Sequence, residues 1–139
     1  MIVIGILAAF AAPRLVDRTG FESRGFFDQA QAIVRYAQKI AIAQRQSPPK
    51  QPVFVVIGAN NIRICFDAAC GVAVTDPSSG NPLSLTAPTG VTLSPATFSY
   101  DGSGTPSIAA QLGVVVSSTG AGDVPRTFFI EAQTGYVHP

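Results

Sequence analysis

The sequence predicts an α+β fold: one long N-terminal helix, its apolar first part projecting, packed on an antiparallel β-rich head. Three observations carry that expectation. Residues 1–12 contain no charged side chain and run straight into Pro13 and Arg14. Phe26 to Gln46 repeats apolar residues at intervals of three and four, the signature of a helix with one buried face. From Pro52 onward, short β-prone runs alternate with turns rich in Gly, Pro, Asn and Ser, and strands following one long helix imply an α+β domain. The expected division is an apolar, projecting helix segment over 1–25 and a head over 26–139. The head comprises helix 26–46 and a sheet drawn from 52–139.

The opening stretch is short for a membrane span. Twelve helical residues rise about 18 Å, against a hydrocarbon core of about 30 Å. No lysine or arginine precedes it, so it lacks the charged start of a secretory signal. Two readings remain, a poor signal peptide or the back half of a longer apolar segment, and the missing charged start makes the second the expectation. Between Pro13 and Phe26, Gly20 and Gly25 each cost a helix about 1 kcal/mol relative to alanine, so this stretch reads as helical but easily bent. In the next helix Phe26, Ala30, Ile33, Ala37 and Ile40 form the core-facing stripe, widened by Phe27, Val34 and Ala41. Asp28, Gln31, Arg35, Gln38, Lys39 and Arg45 are assigned to the opposite, solvent side. Pro48, Pro49 and Pro52 end the helix.

The β region reads as a series of short strands. Pro52–Ile57 and Ile62–Phe66 flank Gly58-Ala-Asn-Asn61, a hairpin signal, and Val72–Val74 is a short candidate strand. Thr75 to Gly90 is expected to be loop, given its Pro, Ser, Gly and Asn content. Val91–Leu93 and Thr97–Tyr100 are short strands, and Asp101 to Pro106 is a turn. Leu112–Ser118 and Arg126–Ala132 make a second hairpin, and Thr134-Gly135 turns the chain back into Tyr136-Val137.

Composition narrows function. The 139 residues suffice for a sizeable core, and a net charge of +1 exerts no global pull on nucleic acid. The charge is unevenly placed. Residues 1–50 carry Arg14, Arg18, Arg24, Arg35, Lys39, Arg45 and Lys50 against Asp17, Glu22 and Asp28, a net +4. Residues 51–139 carry Arg63 and Arg126 against Asp67, Asp76, Asp101, Asp123 and Glu131, a net −3. A solvated helix face, with cations toward its C-terminus, accounts for the basic half. A stem meeting acidic neighbours or lipid headgroups is the other reading.

The run Ile4-Gly-Ile-Leu-Ala-Ala-Phe-Ala-Ala-Pro-Arg-Leu15 resembles the second half of the N-terminal segment of type IV pilins and type II secretion pseudopilins. The resemblance implies that a leader and the start of the mature helix precede Met1. Adding roughly nine residues brings the apolar rod to about 31 Å, the thickness of a bilayer core. It also implies that Ile2, Ile4, Gly5, Ile6, Leu7, Phe10 and Pro13 serve membrane insertion and helix assembly. The processing glycine, the methylated first residue and the assembly glutamate of that family match no position here. In the head, Ala32 to Arg45, Phe98-Ser-Tyr-Asp-Gly-Ser-Gly104 and Ile130-Glu-Ala-Gln-Thr-Gly-Tyr-Val137 are similar to the GspH/FimT-like minor pilins. Within that group the likeness is strongest to the MshC type of mannose-sensitive haemagglutinin pili, where a cysteine pair also follows the first hairpin.

The resemblance implies a structural subunit that packs helix to helix with other pilins or pseudopilins. Its head would lie in the periplasm while the helix sits in the inner membrane, before assembly into a pilus or pseudopilus. A minor pilin of the haemagglutinin type is the first expectation, a GspH-like pseudopilin of a type II secretion system the second, and a DNA-binding pilin for uptake the third. No cofactor, metal or small-molecule substrate is expected.

Residues with chemical potential are sparse. Cys65 and Cys70 are expected to form a disulfide if the chain is exported; two free thiols or half a metal site are the alternatives. His138 is the only histidine, so a catalytic triad or histidine-metal cluster lacks partners. Asp101, Asp123 and Glu131 are scattered, with the first two in turns. Gly102-Ser-Gly-Thr-Pro106 has no lysine and leads into no helix, unlike a phosphate-binding loop. The segment 134–139 carries no arginine or lysine, and an acidic head argues against nucleic acid. Tyr100 and Tyr136 read as strand residues rather than base-stacking platforms. The sequence therefore points away from an enzyme.

Overall fold

The computed structural model describes residues 19–44, 51–120 and 122–139. Helix α1 spans Thr19–Gln44, 26 residues, and is followed by eight strands. No proline interrupts it, and Glu22 in its first turn complements the positive end of the helix dipole. The helix runs through Gly20 and Gly25 without a break. Its last turn carries no basic side chain, while Arg45 and Lys50 lie outside the described residues. No helix among the described residues is long and apolar enough to cross a membrane.

The strands are β1 (Val53–Ile57), β2 (Asn61–Cys65), β3 (Ser84–Thr86), β4 (Val91–Leu93), β5 (Ala96–Tyr100), β6 (Leu112–Ser118), β7 (Arg126–Ile130) and β8 (Val137–His138). They form two four-stranded antiparallel sheets, ordered β3-β2-β1-β5 and β4-β6-β7-β8. The first hairpin closes on Ile57 opposite Ile62, and the second pairs Leu112 with Ile130 and Val116 with Arg126. The Leu93 amide donates to the Ala59 carbonyl (2.8 Å), tying the β1–β2 turn of one sheet to β4 of the other.

Two sequence readings change. Ser84–Thr86, expected as loop, pairs with Asn61–Arg63 as the edge strand β3. Pro82 and Pro88 mask it in the sequence, since prolines on either side of three residues read as turn. Val72–Val74 is not a strand; it contributes only an isolated bridge between Ala73 and Cys65.

The core lies where α1 crosses both sheets. Alternation places Val53, Val55 and Ile57 of β1 inward, with Phe54 and Val56 half-buried on the other side. Val114 and Val116, and Phe128 and Ile130, do the same in the second sheet. From α1 come Phe26, Ala30, Val34, Ala37 and Ala41, all buried, with Phe27 beside them and Ile33 and Ile40 partly buried against the cluster. Phe27 meets Phe128 edge to face at 5.9 Å, and Phe98 meets Tyr100 likewise at 5.3 Å. Such pairs add about 0.5–1.5 kcal/mol beyond the area they bury.

Candidate functional site: the seam between helix and head

Small residues bring α1 close to the sheets, and polar side chains flanking the apolar stripe then reach strand ends and turns. At the downstream end, Gln38 is the hub. Its Nε2 donates to the carbonyls of Gly104 and Thr134, both at 2.9 Å. Those carbonyls belong to two turns that approach closely enough to exclude side chains. Gly104 has φ +82°, and a Cβ there would lie 2.8 Å from Ile42 Cδ1. Gly135 has φ +69°, and a Cβ there would lie 2.5 Å from the Gly104 oxygen and 2.8 Å from the Tyr100 ring. Left-handed backbone and close approach both require glycine. Tyr100 lies beneath, fully buried, its hydroxyl donating to the Gly135 carbonyl at a long 3.5 Å. Burial pushes its phenol well above the ordinary value of 10.

The turn 101–106 is made by one carboxylate. Asp101 Oδ1 accepts from the amides of Ser103 and Thr105, each at 2.9 Å, and from the Ser103 hydroxyl at 2.7 Å. The Ser103 hydroxyl first, then the Thr105 amide, holds the Asp101 carboxyl below its ordinary value. Asp101 is therefore a turn-former, and its acceptor capacity is used locally.

One helical turn upstream, Arg35 donates from Nη2 and Nε to the Val137 carbonyl, at 2.8 and 3.2 Å, and from Nη2 to Gln31 Oε1 at 3.1 Å. Val137 belongs to β8, an edge of the second sheet, and its carbonyl faces away from β7 toward the helix. Gln31 is only 5% exposed. The assignment of Gln31 and Gln38 to the solvent side is thus corrected: Gln31 is buried and Gln38 half-buried. Periodicity finds the apolar stripe but cannot separate polar residues at its margin from those facing water.

At the upstream end, Ser23 is 1% exposed and donates to Asp123 Oδ2 at 2.7 Å. The Ser118 hydroxyl donates to the same oxygen, and Arg126 Nη1 meets Asp123 Oδ1 at 3.3 Å. The Ser118 and Ser23 hydroxyls, then the Arg126 guanidinium, hold the Asp123 carboxyl down at about 2. This cluster joins the beginning of α1 to the β6–β7 connection. Ser23 to Gln38 covers roughly 22 Å of helix, so the ties span most of the seam.

The opposite face of α1 is open. Phe21 is 80% exposed, with Arg24, Asp28, Ala32, Tyr36, Lys39 and Ala43 also exposed, while Ile42, 46% exposed, flanks the Gly104 turn at the edge of the seam. The sequence-nominated Ile2, Ile4, Gly5, Ile6, Leu7, Phe10 and Pro13 lie outside the described residues. Cys65 and Cys70 are joined by a disulfide, with Cα atoms 5.2 Å apart. Cys70 takes φ +59°, and the loop is clamped by Asp67, whose carboxylate accepts from the amides of Gly71 (2.9 Å) and Val72 (2.8 Å). A cleft of about 170 Å³ beside the bridge is lined by Arg63, Cys70, Pro82 and Ser84, among others, and by no carboxylate or histidine. Among the described residues, no group of three or more His, Cys, Asp or Glu side chains could hold a metal ion.

His138 and Glu131 do meet, at 2.8 Å, and the Gln111 carboxamide also donates to Glu131, at 2.6 Å. Among the described residues, no serine or cysteine is hydrogen-bonded to this pair. Gln38, Arg35 and Ser23 are the seam residues that sequence reasoning did not single out. The usable signal was that three similarity-bearing stretches, 32–45, 98–104 and 130–137, each supply one side of the Gln38 junction.

No protein-family model matches the chain, and no curated protein matches it in sequence. Two solved structures share its fold, both of the type IV minor pilin FimU of Pseudomonas aeruginosa strain PAO1, in different crystal forms. One superimposes with a TM-score of 0.58 at 16% identity, covering 83% of this chain and 90% of that one. The other gives a TM-score of 0.60 at 16% identity, covering 84% and 87%. One N-terminal helix packed on antiparallel sheets, as found here, is the pilin fold of FimU.

Proposed function

We propose that this chain is a structural minor pilin subunit, assembling through its N-terminal helix. The observation that carries the reading is α1 itself. One face is buried and tied to the head along its length, while the other presents exposed Phe21 and Tyr36. A helix held in that way is a fixed arm whose outer face is available to neighbours. The function is then mechanical. The apolar segment 1–13 is handed from the inner membrane to the packed helices of a filament, and the head keeps the arm in register. Partners are other pilins, and no small-molecule substrate takes part.

The finer reading is a minor pilin of the mannose-sensitive haemagglutinin type. Its support is the three head motifs converging on Gln38 and a bridged cysteine pair following the first hairpin. The bridge also favours an oxidising location such as the periplasm or cell surface. A GspH-like pseudopilin of a type II secretion system would use the same helix and the same head.

The test places a charge in the apolar segment, Ala9→Asp, in cells expressing the complete gene. A charge at the centre of a membrane helix costs about 2.5–3.5 kcal/mol. Loss of surface filaments is expected for a pilin and loss of secreted cargo for a pseudopilin, with Thr89→Ala on an exposed loop as the matched control. Normal filaments and normal secretion with Ala9→Asp would overturn the assembly reading.

A further inference from the structure

We infer that the C-terminal strand β8 is fastened by the imidazolium form of His138, making the downstream seat of α1 proton-linked. The inference concerns the head alone and stands independently of the pilin reading. Both ring nitrogens of His138 face oxygen. Nε2 lies 2.8 Å from Glu131 Oε1, and Nδ1 lies 3.2 Å from the main-chain oxygen of Pro139. A neutral imidazole carries one N–H and serves one of these acceptors; the imidazolium serves both. The ring is also held between two aromatic side chains, stacked on Tyr136 at 5.3 Å and tilted against Phe129 at 5.6 Å. Aromatic faces stack with either form of the ring and add an electrostatic attraction for the cation.

The groups facing the imidazole are few. From the end of β7 comes the Glu131 carboxylate, which also accepts from Gln111. From the preceding turn comes the Tyr136 phenol. On α1 the charged group tied to this strand is Arg35, whose guanidinium binds the carbonyl of Val137, one residue back, rather than the ring. The contact with Glu131, then that with Pro139, raises the histidine above its ordinary 6.5, and the same contact lowers Glu131. The two directions agree. A folded value raised above the unfolded one means the fastening is complete below about pH 6.5 and is lost as pH rises through the folded value.

The consequence reaches the helix because β8 is so small. It has two residues, paired to β7 through Phe129–His138 and Ile130–Val137. Its other side is the carbonyl that Arg35 grips, and the turn before it carries the Thr134 carbonyl that Gln38 grips. When His138 loses its proton, its charge-assisted contact with Glu131 becomes an ordinary hydrogen bond, and the turn and strand that carry the Arg35 tie and one of the two Gln38 bonds are held more weakly.

The experiment uses the full chain in detergent micelles and exploits its single histidine, which gives one unambiguous imidazole signal in NMR. Two readouts are followed with pH: the titration midpoint of His138, and amide-hydrogen protection at Glu131 and Gly135, corrected for intrinsic exchange. The Glu131 amide donates to Tyr136 and the Gly135 amide to Glu131, so both report the closed turn. The expected result is a midpoint above 6.5 and a loss of protection at both amides through that midpoint, while the Val55 amide in β1 stays protected. Glu131→Gln should lower the midpoint, and His138→Gln should abolish the step in protection. A midpoint at or below 6.5, unchanged protection across it, or a step that persists in His138→Gln would overturn the inference.

Discussion

The loop 65–75 and the turn 131–138 are both short connections at strand ends, yet they are held in opposite ways. The first is closed on itself by the Cys65–Cys70 bridge and the Asp67 carboxylate, and among the described residues no hydrogen bond joins it to α1. The second has no covalent tie and is fixed from outside by Gln38 on Thr134 and Arg35 on Val137, with the His138–Glu131 contact closing it from within. A local clasp stiffens its own sheet; a distributed one transmits the position of the helix to the head. The difference teaches that the covalent bond here is not what orients the arm.

The strongest way to break that comparison is Gly135→Ala. The new Cβ meets the Gly104 carbonyl and the Tyr100 ring, and its backbone would sit at positive φ. The left-handed backbone costs about 1–2 kcal/mol and overpacking a further 1–3 kcal/mol. Denaturant unfolding should show a loss of about 2–5 kcal/mol, with α1 amides losing protection alongside β8.

Removing the covalent clasp, as Cys65→Ala with Cys70→Ala, should cost about 2 kcal/mol by the chain-entropy account. The melting temperature falls by several degrees in a domain of this size. Hydrogen exchange should rise around residues 66–72 while β7–β8 and Gln38 are unaffected. Coupled loss at β8 would contradict the division drawn above.

Gln38→Ala is the reciprocal probe. It leaves the carbonyls of Gly104 and Thr134 without their donor, one of them on a buried residue, for about 1–2 kcal/mol. Faster exchange is expected at the Gly104 and Gly135 amides, and none at Gly71 or Val72.

The smallest effect belongs to Asp123, read as a slope with pH. Its folded value, about 2, lies below the ordinary 3.8, so its contribution is present above about pH 4 and fades as pH falls toward 2. Asp123→Asn should flatten the acid limb of the stability curve over that window, measured by thermal unfolding, and leave the neutral limb's shape unchanged.

Much of this architecture is legible in the sequence because it rests on local patterns. The Phe26–Ala41 stripe, the Gly58–Asn61 turn and the cysteine pair each announce themselves within a few residues. The seam does not. Gln38 looks like any solvent-facing glutamine until Gly104 and Gly135, sixty-six and ninety-seven residues away, are brought against it. Ser23 and Asp123 are separated by a hundred residues and show no pairing signal. Glycines in turns are visible, but their reason here is the close approach of a second turn, which depends on tertiary packing alone. Strand β3 escaped because three residues between prolines gain their strand character only from Asn61–Arg63 alongside.

The grip of Arg35 on the Val137 carbonyl has one more effect. An open strand edge is a template on which a second molecule can lay its own backbone, and repetition of that step builds insoluble ribbons. At β8 the outward carbonyl is already occupied, and by a charged group that a peptide amide does not easily displace. At β5, an edge of the other sheet, the Ser107 amide donates to the Ser99 carbonyl and the Ser107 hydroxyl accepts from the Ser99 amide. Ribbon growth is therefore discouraged at both of these margins, so heads brought close together are kept from fusing edge to edge.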